Sequence, residues 1–346
     1  MERADKDLAF MLQYENIAWY ENGKVRILDR RVYPAKISFV ECTHYGEVAQ
    51  AIKDMVTQSA GPYLAAGMGM ALAAYEARSL AKKEMTAFLE KASEVISNAR
   101  PTTAVRMRAI TEKALEVAKD AVEAGRPADQ AVFAHTVEEI NQKYERLGIT
   151  ARHLTSLFPQ KGTVLTQCFG ESIVGLMLRE SRARNLDLKV VCAETRPYFQ
   201  GARLTATVAL EQGFDVTVIT DNMPAAAMKN GMIDLFTSAA DAISCDGYVV
   251  NKVGTFQLAI LCKYFEIPYY TTGAPDKAHA RIDQVTIEMR NPDEVLEAMG
   301  VRTAMQGVKG YYPAFDVTPP HLISGIVTNK GIYTPYNLMD YFKGGL

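Results

Sequence analysis

Cysteine is scarce in this chain and arranged in no framework. There are five, an odd number with no Cys-x-x-Cys pair, which excludes a disulfide scaffold and a zinc ribbon. The five histidines are scattered, and none sits near a nucleophile in sequence, so no serine–histidine–acid set is present. No metal-ligand spacing occurs either. The formal charge is only -2 and the pI about 6.3, without the basic excess that a nucleic-acid partner would require. No apolar run reaches the roughly 20 residues needed to span a bilayer, which excludes a membrane span. The first residues, Met1-Glu2-Arg3-Ala4-Asp5-Lys6-Asp7, lack the basic-then-apolar order of a signal peptide, and a cytoplasmic, reduced location is expected. Gly67-Met68-Gly69 has no third glycine at the required offset and no strand before it, so a dinucleotide loop is excluded. The single tryptophan, Trp19, reads as a core or lid anchor.

What remains is ordinary globular material, 48% apolar and 23% charged, in a chain of 346 residues that is long enough for two domains. Glu21-Asn22-Gly23 between two short apolar runs predicts a hairpin. A further strand is expected over Ile37 to Cys42, and helices over Tyr45 to Thr57, Gly61 to Ala81, Thr103 to Gly125 and Ala128 to Leu147. From residue 151 onward, strands alternate with helices. Strands are expected at Thr163 to Thr166, Leu188 to Cys192, Asp215 to Ile219, Leu235 to Ser238, Ala242 to Ser244 and Ile267 to Thr271. Helices are expected at Ser172 to Arg184, Gly201 to Gln212 and Thr255 to Phe265. The expectation is a mostly helical N-terminal domain with short strands, residues 1–150, and an α/β domain, residues 151–346, with a parallel sheet and helices on both faces.

The chain is organised around Glu194-Thr195-Arg196-Pro197-Tyr198-Phe199-Gln200-Gly201-Ala202-Arg203-Leu204-Thr205. This is a strand-to-helix crossing, where open α/β sheets bind ligands, and it carries an acid, two arginines and a glutamine. It reads as a site for a polar, anionic small molecule. Other strand ends supply chemistry. Cys168 closes a strand just ahead of a helix: it is either a buried structural thiol or one whose pKa is lowered toward thiolate. Asp241, among small apolar residues, is either a turn cap or a desolvated general acid. Asn251 and Lys252, before Gly254, suit a phosphate or sugar hydroxyls at a helix start. Asp221 reads first as an N-cap. Ala60 and Gly61 at another helix start either bind an anion through backbone N–H groups or simply cap, and Arg100, ahead of Pro101, is either a phosphate ligand or a solvated side chain. Glu194, Arg196, Gln200, Asp221, Asn251 and Lys252 are expected with Cys168 and Asp241 on one rim. The set suits proton-transfer chemistry on a phosphorylated sugar with no cofactor.

Several of these stretches, with others, resemble one known family in order. They are Glu194-Thr195-Arg196-Pro197, Gln200-Gly201-Ala202-Arg203-Leu204-Thr205, Ile219-Thr220-Asp221-Asn222-Met223, Ala240-Asp241, Asn251-Lys252-Val253-Gly254-Thr255 and Pro313-Ala314-Phe315-Asp316-Val317-Thr318-Pro319. The pattern looks like the methylthioribose-1-phosphate isomerases, relatives of ribose-1,5-bisphosphate isomerases and of regulatory subunits of the translation-initiation exchange factor. The resemblance runs from Leu28 through Gly331. It implies a small N-terminal domain, a Rossmann-like C-terminal domain and a homodimer. It makes Cys168 and Asp241 the catalytic pair, with Arg100, Gln200, Asn251 and Lys252 on substrate and phosphate. The expected reaction opens the furanose with Asp241 as proton donor to the ring oxygen. Cys168 thiolate then moves the C2 proton to C1, a direct hydride shift being the variant.

The chain also departs from the family. Ser59-Ala60-Gly61-Pro62 stands where relatives carry Arg-Gly-Ala-Pro, Phe169-Gly170-Glu171 replaces Asn-x-Gly, and Ala239-Ala240-Asp241-Ala242 replaces Gly-Ala-Asp-Arg. These changes imply a divergent branch with a retuned pocket, for 5-methylthioribose 1-phosphate or 5-deoxyribose 1-phosphate. The lost arginine argues against a second phosphate, as in ribose 1,5-bisphosphate. The competing class is a non-catalytic subunit sensing sugar phosphates or nucleotides, against which the retained Cys168 and Asp241 argue.

Overall fold

The computed structural model describes residues 3–100 and 104–343. Two compact units divide the chain, residues 1–145 and 146–346.

In the first unit a four-residue helix α1 (Tyr14–Ile17) leads into the antiparallel sheet β1 (Ala18–Glu21), β2 (Lys24–Leu28) and β3 (Phe39–Cys42). The β1–β2 turn is built as expected, with Asn22 and Gly23 both at positive φ (51° and 77°), the conformation a two-residue hairpin demands. Helices α2 (Tyr45–Lys53), α3 (Gly61–Glu76), α4 (Lys82–Ser97) and α5 (Ala104–Glu123) follow. The small-residue tract is α3, buried on all faces. Trp19 meets Phe133 edge-on, 4.9 Å between ring centroids.

Helix α6 (Ala128–Thr155) contains the division between the units. It does not stop at Leu147, because one helical glycine costs only about 1 kcal/mol. Thr150, Ala151 and Leu154 continue its buried face past Gly148. The predicted helix start at Thr103 lies outside the described residues.

The second unit runs β4 (Lys161–Thr166), α7 (Ser172–Ala183), β5 (Asp187–Ala193), α8 (Ala206–Glu211), β6 (Asp215–Ile219), α9 (Pro224–Lys229) and β7 (Leu235–Ala239). It continues with β8 (Ala242–Ile243), β9 (Val249–Lys252), α10 (Thr255–Tyr264), β10 (Tyr269–Thr272), the hairpin β11 (Glu297–Ala298) and β12 (Val301–Arg302), β13 (Phe315–Thr318), β14 (Gly325–Thr328) and β15 (Gly331–Tyr333). Seven strands form one sheet in the order β15-β14-β10-β7-β4-β5-β6, parallel except for the β14–β15 pair. Its central strands are buried although threonine and serine interrupt their apolar residues: four of the five positions of β7 and the last three of β4 are enclosed. Leu165, Val191, Phe236, Tyr269 and Ile326 pack its core with Leu258 and Ala259 of α10.

Ala242–Ile243 is not a strand of that sheet. It pairs with β9, and β9 with β13, in a separate antiparallel sheet. No helix among the described residues is long and apolar enough to cross a membrane.

Candidate active site

Strand order places the candidate chemistry. The chain steps outward from β4 to β5 to β6, then returns to lay β7 on the other side of β4. The crossovers leaving β4 and β7 therefore diverge, and such a switch point is where a parallel sheet opens a crevice for ligands. Cys168 lies two residues past β4, and Asp241 two residues past β7.

Cys168 is held firmly. Its φ is +63°, its N–H donates to Thr195 Oγ1 at 3.0 Å, and its carbonyl accepts from the Thr205 hydroxyl at 2.5 Å. Burial pushes the thiol up to about 11, and the charge of Asp241 adds to the rise. Lys252, the Phe169 N–H and Arg290 pull the other way. Of the two readings left open for Cys168, the lowered pKa is the one not met: helix α7 starts only at Ser172, and desolvation outweighs the nearby cations. Asp241 donates its N–H to Val250 O, and the residue is exposed rather than enclosed by its small apolar neighbours.

Asn251 and Lys252 come from β9 of the small sheet, not from a strand end of the large one, and both are buried. Asn251 Nδ2 donates to Thr255 Oγ1 at 3.0 Å. Lys252 Nζ donates to Ala314 O at 2.9 Å and sits 4.8 Å from the centroid of Phe315. Burial, aided by Arg290, lowers its pKa, while Cys168, Asp241 and Glu288 oppose the shift.

Arg290 is the residue that sequence reasoning missed. Its guanidinium pairs with Glu288 at 3.1 Å and lies 5.7 Å from the same Phe315 ring, so two cations flank one aromatic beside the thiol. The local signal, Glu288-Met289-Arg290-Asn291-Pro292, is a paired charge ahead of a proline.

The organising crossing is built from β5 outward. Asp221 does not cap α9, whose N-cap is Met223. Its carboxylate instead accepts the N–H groups of Thr195 (2.9 Å) and Arg196 (2.7 Å), fixing the turn. Glu194 is half-buried, its carboxyl raised by burial and by the Asp221 charge. The guanidinium of Arg196 is spent on main-chain carbonyls of Pro197, Glu294, Val295 and Glu297. Gln200 is 6% exposed, and its Oε1 has no hydrogen-bond partner among the described residues. A cavity of about 310 Å³ lies nearby, lined by Gln167, Arg196, Asp221, Gly254, Leu258 and Tyr312 among others.

In the first unit, Gly61 opens α3, but its N–H is taken by Gln58 O at 3.1 Å and Pro62 has none, so this start offers an anion less than expected. A Cβ on Gly61 would meet Thr57 Oγ1 at 1.9 Å. Ala60 is the N-cap, and Arg100 is half-buried next to residues outside the described set.

Fold and strand order together define a Rossmann-like α/β protein whose candidate site residues Cys168 and Asp241 lie at the switch point of the sheet. Comparison with known proteins narrows this. The model of the initiation factor 2 subunit family matches residues 58–335. A methylthioribose-1-phosphate isomerase of Chloroflexus aurantiacus is 36% identical over 338 residues, covering 92% of this chain and 94% of its own. The solved 5-methylthioribose 1-phosphate isomerase of Pyrococcus horikoshii OT3 superposes with a TM-score of 0.84 at 30% identity, covering 96% of this chain and 98% of that one. The structure described as translation initiation factor eIF-2B, subunit delta, from A. fulgidus gives 0.80 at 29% identity, covering 93% and 97%. The chain belongs to the initiation factor 2 subunit family, within its isomerase branch.

Proposed function

We propose that this aldose–ketose isomerase converts a 5-substituted 5-deoxyribose 1-phosphate, with a methylthio group or hydrogen at C5, to the ribulose 1-phosphate, using Cys168 and Asp241 for proton transfer. One observation carries the reading: Cys168 and Asp241 stand just past the two strand ends flanking the switch point, and the Asp241 charge raises the thiol. A C1 phosphate blocks simple ring opening, so a proton donor at the ring oxygen is needed.

With its surroundings pushing the thiol up to about 11, Cys168 takes the donor role in this proposal and Asp241 that of the base, the reverse of the roles expected from the sequence. Cys168 donates to the ring oxygen as the bond from C1 to that oxygen breaks. Asp241 accepts the C2 proton, and the electrons of the C–H bond form the C1–C2 double bond of an enol phosphate. Asp241 then returns this proton to C1 while the C2 hydroxyl proton passes to the Cys168 sulfur. The product is the ketose 1-phosphate, and both groups are restored.

Arg100, Gln200, Asn251 and Lys252 hold the phosphate and hydroxyls in this reading. The orphaned Oε1 of Gln200 supports its part, since a buried acceptor without a donor suits a sugar hydroxyl. The working form is a cytoplasmic homodimer.

The test is ketose formation from 5-methylthioribose 1-phosphate. Cys168→Ser and Asp241→Asn should each lower kcat by at least ~10²-fold. A near-normal rate in either removes that residue from the pair. No turnover of any aldose 1-phosphate by the native chain, with tight binding retained, would favour the regulatory-subunit reading.

A further inference from the structure

We infer that Thr195 and Thr205 are positioning residues for Cys168, their two hydroxyls gripping the opposite ends of its main-chain unit and fixing the direction of the thiol. The inference rests on the reading of Cys168 as a proton-transfer group.

A cysteine at φ +63° occupies a region that L side chains rarely adopt, and it returns to an ordinary conformation unless its surroundings hold it. Here the holding groups are specific. The Cys168 N–H goes to Thr195 Oγ1 at 3.0 Å, and the Cys168 carbonyl receives the Thr205 hydroxyl at 2.5 Å. Both threonines are fully buried, where a hydrogen bond to the main chain has no water to compete with it. They come from different local structures, so the grip is not one loop folding on itself.

Each threonine is itself fixed. Thr195 has φ +64°, gives its N–H to Asp221 and its hydroxyl proton to Ala193 O at 3.1 Å. Thr205 closes a π turn over Gly201–Thr205, where the Ala206 N–H reaches back to Gly201 O. The wider turn rotates Thr205 relative to the α8 helix that follows, and turns of this kind recur at functional sites. Its approach depends on Gly201, where an added Cβ would stand 1.7 Å from Ala193 O. The acidic, proline-bearing crossing thus has a task besides touching ligand: it carries both clamps to the peptide of the neighbouring strand end.

The test compares Thr205→Val, which keeps the shape and deletes the donor, with Thr205→Ser, which keeps the donor, by steady-state kinetics and thermal melting. For Thr205→Val we expect kcat to fall about tenfold to a hundredfold with KM nearly unchanged, the mark of a misplaced reacting group. Thr205→Ser should restore most of kcat. A folded valine variant with the native kcat overturns the inference. So does an equal loss in valine and serine, which would assign the effect to packing. If Thr205→Val does not fold, Thr195→Val and Thr195→Ser are judged by the same criteria. Cys168→Ser, run in parallel, separates the two levels. An active Cys168→Ser defeats the proton-transfer reading itself, whereas an inactive one beside a fully active Thr205→Val defeats only the positioning role.

Discussion

Burial and charge act on the Cys168 thiol in opposite directions, and burial prevails, at about 11. Only about one thiol in 10⁴ is then ionised at pH 7. At saturating substrate, kcat for isomerisation should therefore show no rise from about pH 8 to 10 and should fall above about 11, as the donor loses its proton. A tenfold rise per pH unit over that interval would instead make the thiolate the base. Arg290→Gln, which removes a cation that favours the thiolate, should move the alkaline limb to higher pH. The position of Cys168 at a strand end was legible from Leu165-Thr166-Gln167-Cys168, but its protonation was not. A sequence shows that a cysteine precedes a helix; it does not show how much protein packs around the sulfur. Arg290 was hidden for a related reason. It lies in the largely irregular stretch between β10 and β13, where no periodicity marks which side chains turn inward.

At the scale of elements, α10 begins with an unusual cap. Gly254, at φ +103°, has no side chain to offer, so Asp316 on β13 accepts the N–H groups of Gly254 (2.7 Å) and Phe256 (3.1 Å). Burial still raises this carboxyl to about 6, against those bonds and the Lys252 charge. A carboxyl raised in the fold makes its ionised form a cost to stability above about pH 6. The cost is relieved as pH falls through 6 and is gone below the unfolded value near 4. The native chain should therefore gain melting temperature relative to Asp316→Asn as pH drops from about 7 to 4.5. A difference that does not change with pH would refute the shift. This cap was unreadable in advance because β9 and β13 were not expected. Val249–Lys252 is buried at every position, with no alternation to distinguish it from a loop running into α10. The longer parallel strands, bounded by turns and alternating with helices, were readable from their order and lie close to where they were placed.

For the whole molecule, the class of sheet follows from alternation, whereas strand order does not, since a sequence does not record on which side of β4 the chain lays β7. That choice sets Cys168 and Asp241 just past the ends of two adjacent strands. The family was legible from motifs, and the 36% identity over nearly the full chain agrees with it. Under the proposed function, the choice of substrate would turn on a departure from those motifs. By the resemblance, Ser59 stands where relatives place an arginine, which leaves one cation fewer for anionic groups. A second phosphate would be strongly disfavoured if it lost its water without gaining a partner, whereas a methyl or methylthio end asks for no charge at all. In a panel of 5-methylthioribose 1-phosphate, 5-deoxyribose 1-phosphate and ribose 1,5-bisphosphate, kcat/KM for the better of the first two should exceed that for the bisphosphate by at least ~10²-fold, which corresponds to about 2.7 kcal/mol in the transition state. Ser59→Arg should narrow that gap if the missing cation is its cause. Preference for the bisphosphate by the native chain would mean that other side chains neutralise the second phosphate, and the departure at Ser59 would then lose its meaning for specificity.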